Sequence, residues 1–260
     1  MNNNKQQKNI TVASLVLMII TTVYGFGNVS VSYEQMTYAG IIWFILAGVC
    51  FFFPAGLMMA EYGSAFHDAQ GGIYSWLAGS IGEKWAFIGT FVWLSNWVLW
   101  LVASASRLWI SISALIFGKD TTQSWHLFGL HGTQLIGVLA ILFMIGSTYL
   151  SSRGMTGIKI MSSIGGIFMI VMNAIFIIAS LIIICMNHGQ LAQPITGWQS
   201  FIISPNKSFQ TPITIISFVV YAVFAYGGME TVGGVINNMK KPEKGFPKGL
   251  IIGSIFTIVS

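Results

Sequence analysis

The sequence has 260 residues, of which 55% are hydrophobic and only 7% are charged. A soluble domain carries about 25% charged residues. The 12 Lys and Arg and the 7 Asp and Glu of this chain are too few to cover a water-exposed surface. The composition therefore excludes a soluble protein and indicates one that is surrounded mostly by lipid.

Apolar runs follow one another along the whole chain. An α-helix crosses the hydrocarbon core, about 30 Å thick, with roughly 20 apolar residues. No small-residue cleavage site follows the polar start, so we expect a retained first span and no removable signal peptide. In chain order the predicted spans are Ile10–Val31, Gly40–Tyr62, Trp85–Phe117, Thr133–Leu150, Ile158–Met186, Thr211–Asn237 and Gly249–Ser260.

The two ends of the chain complete this organisation. Residues 1–9 are polar and are predicted to form a cytoplasmic tail, and residues 10–260 are predicted to form one membrane domain. The seventh apolar run holds only about a dozen residues, fewer than a span requires. We therefore expect six complete spans and a partial seventh, as in a chain truncated inside a helix.

The basic residues predict the orientation in the membrane. With the N-terminus in the cytoplasm, the outer segments hold only Lys119 and Lys207, and Arg107 falls within the third span. This bias follows the positive-inside rule, and it explains the net charge of +5 without a nucleic-acid partner. The cytoplasmic segments then hold Lys5, Lys8, Lys84, Arg153, Lys159, Lys240, Lys241, Lys244 and Lys248.

One acidic residue, Glu230, lies inside an apolar run, between the pairs Gly227–Gly228 and Gly233–Gly234. An ionised carboxylate at membrane depth costs roughly 3 kcal/mol on insertion scales. Each glycine in a helix interior costs about 1 kcal/mol relative to alanine. A helix broken at these glycines exposes backbone polar groups, which a membrane protein tolerates where they line a cavity or bind a ligand.

The first span carries a similar interruption. Its Tyr24-Gly25-Phe26-Gly27 is matched in the sixth span by Tyr226-Gly227-Gly228-Met229. Two glycine-interrupted spans so placed indicate the binding site of an inverted-repeat transporter. Half-helix N-termini present amides to an anion, and freed carbonyls bind a cation. An amino-acid zwitterion carries both charges, so the pattern favours an amino-acid substrate.

Simpler explanations stay open at these positions. Glycines also permit close packing between membrane helices, and Glu230 also suits a structural hydrogen bond to a neighbouring span. Arg107 either pairs with a carboxylate or extends to the outer interface. The two cysteines and the loop histidines lack metal-ligand spacing, so we expect neither a metal nor a cofactor.

Two stretches resemble the amino acid/polyamine/organocation permease superfamily. Ala60–Val98 is similar to its hallmark stretch, with an acidic residue after the second span, a Gly-Gly-x-Tyr-x-Trp loop and a Gly-Glu-aromatic entry to the third. Phe224–Leu250 resembles its sixth span and the following loop, where Gly-x-Glu precedes Asn-x-x-Lys-x-Pro. The Gly-Phe-Gly of the first span stands where the family carries Gly-x-Gly. Within the superfamily, the chain looks closest to glutamate/GABA antiporter-like permeases.

This resemblance implies an all-α polytopic fold of five plus five inverted-repeat spans and two more. The chain would hold the first repeat and the start of the second, with the first and sixth helices broken. Phe224 would gate the site, and Glu230 would take part in proton coupling. The implied substrate-binding set is Gly25, Phe26 and Gly27 for the carboxylate, the backbone near Val23, Tyr24, Ala225 and Gly227 for the amine, and Gly228 beside them.

The implied function is secondary active transport of an amino acid or a derived amine across the cytoplasmic (inner) membrane, by alternating access. An antiporter and a proton-coupled symporter both fit, and the expected partners are the substrate, the lipid bilayer and protons. The alternative is a non-transporting truncated fragment or a structural membrane subunit. The sequence contains no GxSxG, HExxH or Walker motif, so we expect no enzyme.

Overall fold

The described part of the chain is helical. The computed structural model describes residues 10–66, 69, 71–152, 154–191 and 193–260. These residues form no extended strand, only isolated backbone bridges such as that between Ile10 and Met239. The predicted all-α class is therefore confirmed, whereas the predicted tail and Arg153 lie outside the described residues. The chain forms two compact units, Met1–Trp76 with Lys159–Ser260 and Leu77–Ile158.

The first unit opens with a bent pair of helices. α1 (Val12–Val23) is capped by Thr11, whose hydroxyl accepts from Ser14 N–H, and α2 (Phe26–Met36) follows after a short break. The two helices are bent by 44° relative to each other. The longer of the remaining helices in this unit are α3 (Ala39–Ala47), α4 (Phe53–Ala65), α5 (Ile73–Ile81), α8 (Met155–Met186), α9 (Pro212–Ala225), the 3-10 helix Met229–Asn238 and α10 (Pro242–Val259), of which α5 and α8 extend into the second unit.

Glycines allow α10 to pack closely against α1. Gly249 and Gly253 stand one turn apart and face Leu15 and Ile19 of α1, and a methyl group added to Gly253 would lie 2.9 Å from Ile19 Cγ2. On the other flank of α10, a methyl group on Gly56 of α4 would lie 3.0 Å from Ser254 Oγ. Small residues at these positions let membrane helices approach closely, so α10 forms part of the core of the first unit.

The seventh predicted segment differs in extent from the helix that the structure shows. The apolar run indicates a start at Gly249, whereas α10 begins at Pro242. Proline is well suited to the first turn of a helix, where backbone N–H groups have no intrahelical partner. The charged residues Glu243, Lys244 and Lys248 occupy the first turns of α10. A prediction from hydropathy therefore places the start of this helix too late.

Membrane spans can be assigned by length and apolarity. Among the described residues, five helical segments are long and apolar enough to cross a membrane, and the bent α1–α2 pair is as well if it is counted as one span. In chain order these six segments coincide with the first six predicted spans. The five segments are Ala39–Ala65, Glu83–Phe117, Gly132–Ser152, Met155–Met186 and Pro212–Asn238.

The second unit consists mainly of two long helices, α6 (Glu83–Phe117) and α7 (Gly132–Ser152). α6 is bounded by Gly82 and Gly118, whose φ values of +88° and +70° favour glycine. Of the residues of α6, only Ala86, Ala105 and Ser113 are buried, and Arg107 is exposed on this helix. An apolar surface of this kind is suited to lipid rather than water.

Candidate functional site at two helix breaks

The first span breaks at Tyr24 and Gly25. Both residues have extended backbone, with φ −74° and ψ 125° at Tyr24 and φ −135° and ψ 113° at Gly25. Tyr24 N–H still donates to Ile20 O at 2.9 Å, and α2 begins at Phe26 without a side-chain cap. The break therefore places the last carbonyls of α1 and the first amides of α2 close together.

Two threonines before the break explain where α1 ends. The hydroxyls of Thr21 and Thr22 donate to carbonyls one turn earlier, Leu17 O at 2.8 Å and Met18 O at 2.7 Å. Such bonds slightly destabilise a helix and often bend it. The Thr21 hydroxyl also lies 2.7 Å from Ser162 O on α8. This signal is present in the sequence, but a prediction from glycines alone overlooks it.

The second break lies between α9 and the 3-10 helix. Gly227 N–H donates to Phe224 O at 2.9 Å and closes a turn after the end of α9. Gly228 then has φ +119° and ψ −18°, in the left-handed region where a side chain is strained. A methyl group at Gly228 would also lie 3.1 Å from Thr22 O of α1. Glycine is therefore required at this position both by its backbone and by its neighbour.

Glu230 stands at the start of the 3-10 helix. Its Oε2 accepts a hydrogen bond from Gly228 N–H at 3.0 Å, and the Thr231 hydroxyl donates to Gly228 O at 2.6 Å. The Glu230 side chain is half-buried. The carboxylate thus contacts the strained glycine of the second break directly, which links its charge to the geometry of that turn.

The two breaks meet at a cavity of about 670 Å³ in the first unit. Val23, Tyr24 and Gly25 line it from the first break, and Ala225 and Tyr226 line it from the second. Tyr226 is held in place because its hydroxyl donates to Phe44 O at 3.2 Å and its ring stacks on Phe52 with centroids 4.7 Å apart. Residues of both broken spans therefore line one open cavity.

The other predicted site residues lie beside the cavity without lining it. Phe26 packs edge-on against Tyr24, with ring centroids 5.2 Å apart, and Gly27 faces open space. Gly227, Gly228 and Glu230 form the turn described above. Phe224 is 60% exposed and is not among the residues that line the cavity, although the adjoining Ala225 lines it.

The structure adds a polar residue that the sequence analysis missed. Asn28, on the first turn of α2, lines the cavity. Its Oδ1 accepts a hydrogen bond from the Tyr221 hydroxyl of α9 at 3.0 Å. A methyl group added to Gly25 would lie 3.3 Å from Asn28 Nδ2. The available signal was an amide residue directly after the Gly-Phe-Gly motif in an otherwise apolar span.

Near the start of α1, by contrast, the space around the 3-10 helix is filled. Trp76 is buried and stacks on Tyr62 at an interplanar angle of 13°. Its indole also lies against Gly233, where a methyl group would be 2.6 Å from Trp76 Cη2. The Asn237 side-chain amide donates to Ala69 O at 2.8 Å. The predicted Gly-Gly-x-Tyr-x-Trp loop thus packs on the segment that follows the second break.

The chain matches the sequence profile described as amino acid permease over residues 10–260. It belongs to the amino acid permease family. Members of this family are transporters rather than enzymes, and the apolar helices make this permease a multi-pass membrane protein. The resemblance identified from the residue motifs is therefore confirmed.

Curated relatives agree with this assignment. The "Inner membrane transporter YjeM" of Salmonella typhimurium is 42% identical over 95% of this permease and 49% of the relative. The "Aspartate/glutamate permease AcaP" of Lactococcus lactis subsp. cremoris is 23% identical over 94% of the permease and 48% of the relative. A "Glutamate/gamma-aminobutyrate antiporter" of the same organism is 21% identical over 98% and 47%, respectively. The chain thus spans about half the length of these relatives.

Proposed function

We propose that the chain belongs to a secondary active transporter that moves an amino acid or a derived amine across the cytoplasmic membrane by alternating access. The observation that carries this proposal is the meeting of two broken helices at one cavity, with Gly228 of the second break against Thr22 at the end of the first half-helix. The family assignment supports the same function.

The substrate carboxylate would bind at the start of α2. The amides of the first turn of a helix have no intrahelical acceptor, and the helix dipole favours an anion there. Gly27 faces open space and Gly25 lines the cavity, so no side chain of these two residues obstructs the approach. Phe26 would contribute its backbone amide, while its ring packs against Tyr24.

The substrate amine would bind carbonyls at the ends of the interrupted helices. Val23 and Tyr24 end α1, and Ala225 ends α9, and all three line the cavity. Freed carbonyls at the C-terminal ends of half-helices carry partial negative charge. Gly227 and Gly228 would act as the hinge of the second half-helix rather than as direct ligands.

Glu230 would couple protons to this geometry. An ionised carboxylate accepts a stronger hydrogen bond than a protonated one, so protonation would weaken its bond to Gly228 N–H. The turn at Gly228, which contacts α1, would then be freer to rearrange. A proton and a conformational change would thereby be linked through one hydrogen bond.

The test is uptake of radiolabelled amino acids into proteoliposomes that contain the complete gene product, at several external pH values. Uptake above that of empty liposomes is expected, with a rate that depends on pH. In Glu230→Gln the amide oxygen still accepts from Gly228 N–H, so folding is retained while the pH dependence is lost.

Glu83→Gln is the matched control, because Glu83 is an exposed residue in the first turn of α6. It should transport with the wild-type pH profile. Absence of uptake for every amino acid and amine would overturn the transport proposal. An unchanged pH profile in Glu230→Gln would overturn only the proton role.

A further inference from the structure

The connection between α6 and α7, within the second unit, contains a tight hairpin. Leu127 and Leu130 exchange two backbone hydrogen bonds, at 3.3 Å from Leu127 N–H to Leu130 O and at 2.9 Å from Leu130 N–H to Leu127 O. The two residues between them, Phe128 and Gly129, have φ values of +52° and +78°. A type I′ turn requires positive φ at both central residues, so the chain reverses here in a two-residue turn.

This hairpin brings two histidines together. His126 and His131 flank the Leu127–Leu130 pair, and side chains at such flanking positions of two antiparallel arms lie close together on one face. Their Nδ1 atoms are 3.3 Å apart, and their ring centroids are 5.2 Å apart with the planes at 88°. A spacing of five residues does not indicate a metal site along the sequence, but the turn converts it into a pair that faces itself across the hairpin.

Neighbouring residues anchor both arms of the hairpin. Beside His126, Trp125 Nε1 donates to Thr121 Oγ1 at 3.1 Å. On the other arm, His131 N–H donates to Gln134 Oε1 at 3.1 Å. These bonds leave both imidazoles unused, and both histidines are exposed to solvent. Each ring can therefore turn either nitrogen toward a common ligand, and the pairing does not depend on one tautomer or ring flip.

The separation of the two rings suits a single metal ion. Zinc binds imidazole nitrogens at about 2.0–2.1 Å in tetrahedral geometry, which places two such nitrogens about 3.4 Å apart. The observed distance between the Nδ1 atoms of His126 and His131 is 3.3 Å. Imidazole is a good ligand for zinc, copper and nickel, whereas magnesium and calcium prefer oxygen ligands. The hairpin therefore offers two ligands of one chemical type at the spacing of a coordination edge.

We propose that the hairpin binds a divalent transition-metal ion such as Zn²⁺ through one imidazole nitrogen each of His126 and His131. Among the described residues, no group of three or more His, Cys, Asp or Glu could hold a metal. Water then completes the coordination, and the ion is exchangeable rather than locked in a closed structural site. This proposal differs from the expectation of no metal that residue spacing gave, and it does not depend on the proposed transport function.

The first experiment measures Zn²⁺ binding by isothermal titration calorimetry. It uses the complete gene product, purified without a polyhistidine tag and freed of metal by a chelator. The second imidazole binds as an intramolecular ligand, so His126→Gln and His131→Gln should each weaken binding at this site at least about tenfold. The double variant should lose no more than either single variant, because one remaining imidazole cannot chelate. His188→Gln is the matched control, since His188 is also exposed but lies outside the hairpin, and it should bind as the wild type does.

The second experiment keeps both histidines and changes the turn. Gly129→Val places a β-branched residue at φ +78°, where such residues are strained, so the hairpin should open and Zn²⁺ binding should weaken at least about threefold. Gly129→Asn is the control, because asparagine tolerates the left-handed region, and its affinity should stay within about twofold of the wild type. No atom lies within 4 Å of a methyl group added at Gly129, so crowding contributes to neither result.

The outcomes decide the proposal in either direction. Weaker binding in both single histidine variants and in Gly129→Val would support chelation by the hairpin. Wild-type affinity in the single histidine variants would overturn it, because the ion would then bind elsewhere or to each histidine separately. Wild-type affinity in Gly129→Val would overturn the role of the turn in pairing the rings. Calorimetry requires no transport, so a failure of the transport proposal would leave these results unaffected.

Discussion

The two helix breaks both contain glycines, but the glycines serve different purposes. At the first break, Gly25 has a negative φ that other residues adopt, and a side chain at Gly27 would meet only open space. At the second break, Gly228 has φ +119° and presses against Thr22 O. The first break is open and accessible to a ligand, whereas the second is a strained turn packed against its neighbour.

This difference shows that a glycine-rich motif does not by itself reveal whether a helix break binds a ligand or only turns the chain. The open break carries Asn28 and the first amides of α2. The packed break carries Glu230, which bonds to the strained residue. Matched substitutions at the two breaks should therefore separate stability from transport.

The largest effect is expected for Gly228→Ala. The left-handed backbone and the close contact with Thr22 O together should lower the free energy of unfolding by roughly 3 kcal/mol or more. Gly27→Ala is the control at the open break and should leave the unfolding temperature close to that of the wild type. Thermal unfolding of the purified protein in detergent measures both. Equal unfolding temperatures for the two variants would contradict the comparison.

A neighbouring pair of glycines gives a second, smaller contrast. Gly233→Ala places a methyl group against the Trp76 indole and should cost about 1–3 kcal/mol through overpacking. Gly234→Ala adds its methyl group where no atom lies within 4 Å, so it should be neutral. The same thermal unfolding assay applies, and the fluorescence intensity of Trp76 should change only in Gly233→Ala. Similar losses in both variants would show that the Trp76 contact is not the cause.

Tyr226→Phe tests the residue that precedes Gly227 and Gly228 at the packed break, and it should lower the stability by less than the glycine substitutions do. The variant keeps the ring that stacks on Phe52 and removes only the hydroxyl that donates to Phe44 O. A single hydrogen bond of this kind contributes about 1 kcal/mol, and the unfolding temperature should fall accordingly. The absence of any shift would mean that the Phe44 carbonyl finds an equivalent donor.

The smallest effect on stability is expected for Asp120. Its carboxylate lies in a solvent-exposed turn and serves as a reference for the half-buried carboxylate of Glu230. The Thr122 hydroxyl and backbone N–H both donate to Asp120 Oδ1, at 2.6 and 2.9 Å, and these bonds lower the pKa of Asp120. Because the folded pKa is below the unfolded one, the bonds stabilise the turn above the usual carboxyl range. That stabilisation is lost as the pH falls through the folded pKa.

The 19F resonance of fluorinated Trp125 is a suitable reporter of this turn, since Trp125 Nε1 donates to Thr121 Oγ1 at 3.1 Å. Its chemical shift should titrate with a midpoint below the ordinary carboxyl value, and Asp120→Asn should abolish the titration. A midpoint at or above the ordinary value would show that the Thr122 bonds do not hold the turn.

Several features of the fold could be predicted from local sequence. The apolar runs predicted the membrane class and the first six spans, because a helix in lipid must satisfy its own backbone and cover itself with apolar side chains. The glycine clusters predicted both breaks to within a few residues. The start of α10 was predicted too late, since its first turns carry Glu243, Lys244 and Lys248 on a helix that is nevertheless buried along one flank.

Other features depend on residues far apart in the chain. The Asn28–Tyr221 hydrogen bond joins α2 to α9, and its formation depends on how two broken helices pack. The exposed position of Phe224 and the contact of Gly233 with Trp76 are equally non-local. No periodicity or spacing within one segment carries information about these pairs.

The sequence by itself determined that the protein is an all-helical membrane protein of the amino acid permease family with two interrupted spans. The helical membrane class and the interruptions follow from the partition of apolar side chains into lipid and from the cost of glycine in a helix, and both act locally, whereas the family is indicated by the residue motifs of Ala60–Val98 and Phe224–Leu250. Only the tertiary structure decided that one break is open and the other packed, and which polar groups face the cavity. Those properties depend on which atoms of distant segments come into contact, and that is set by packing.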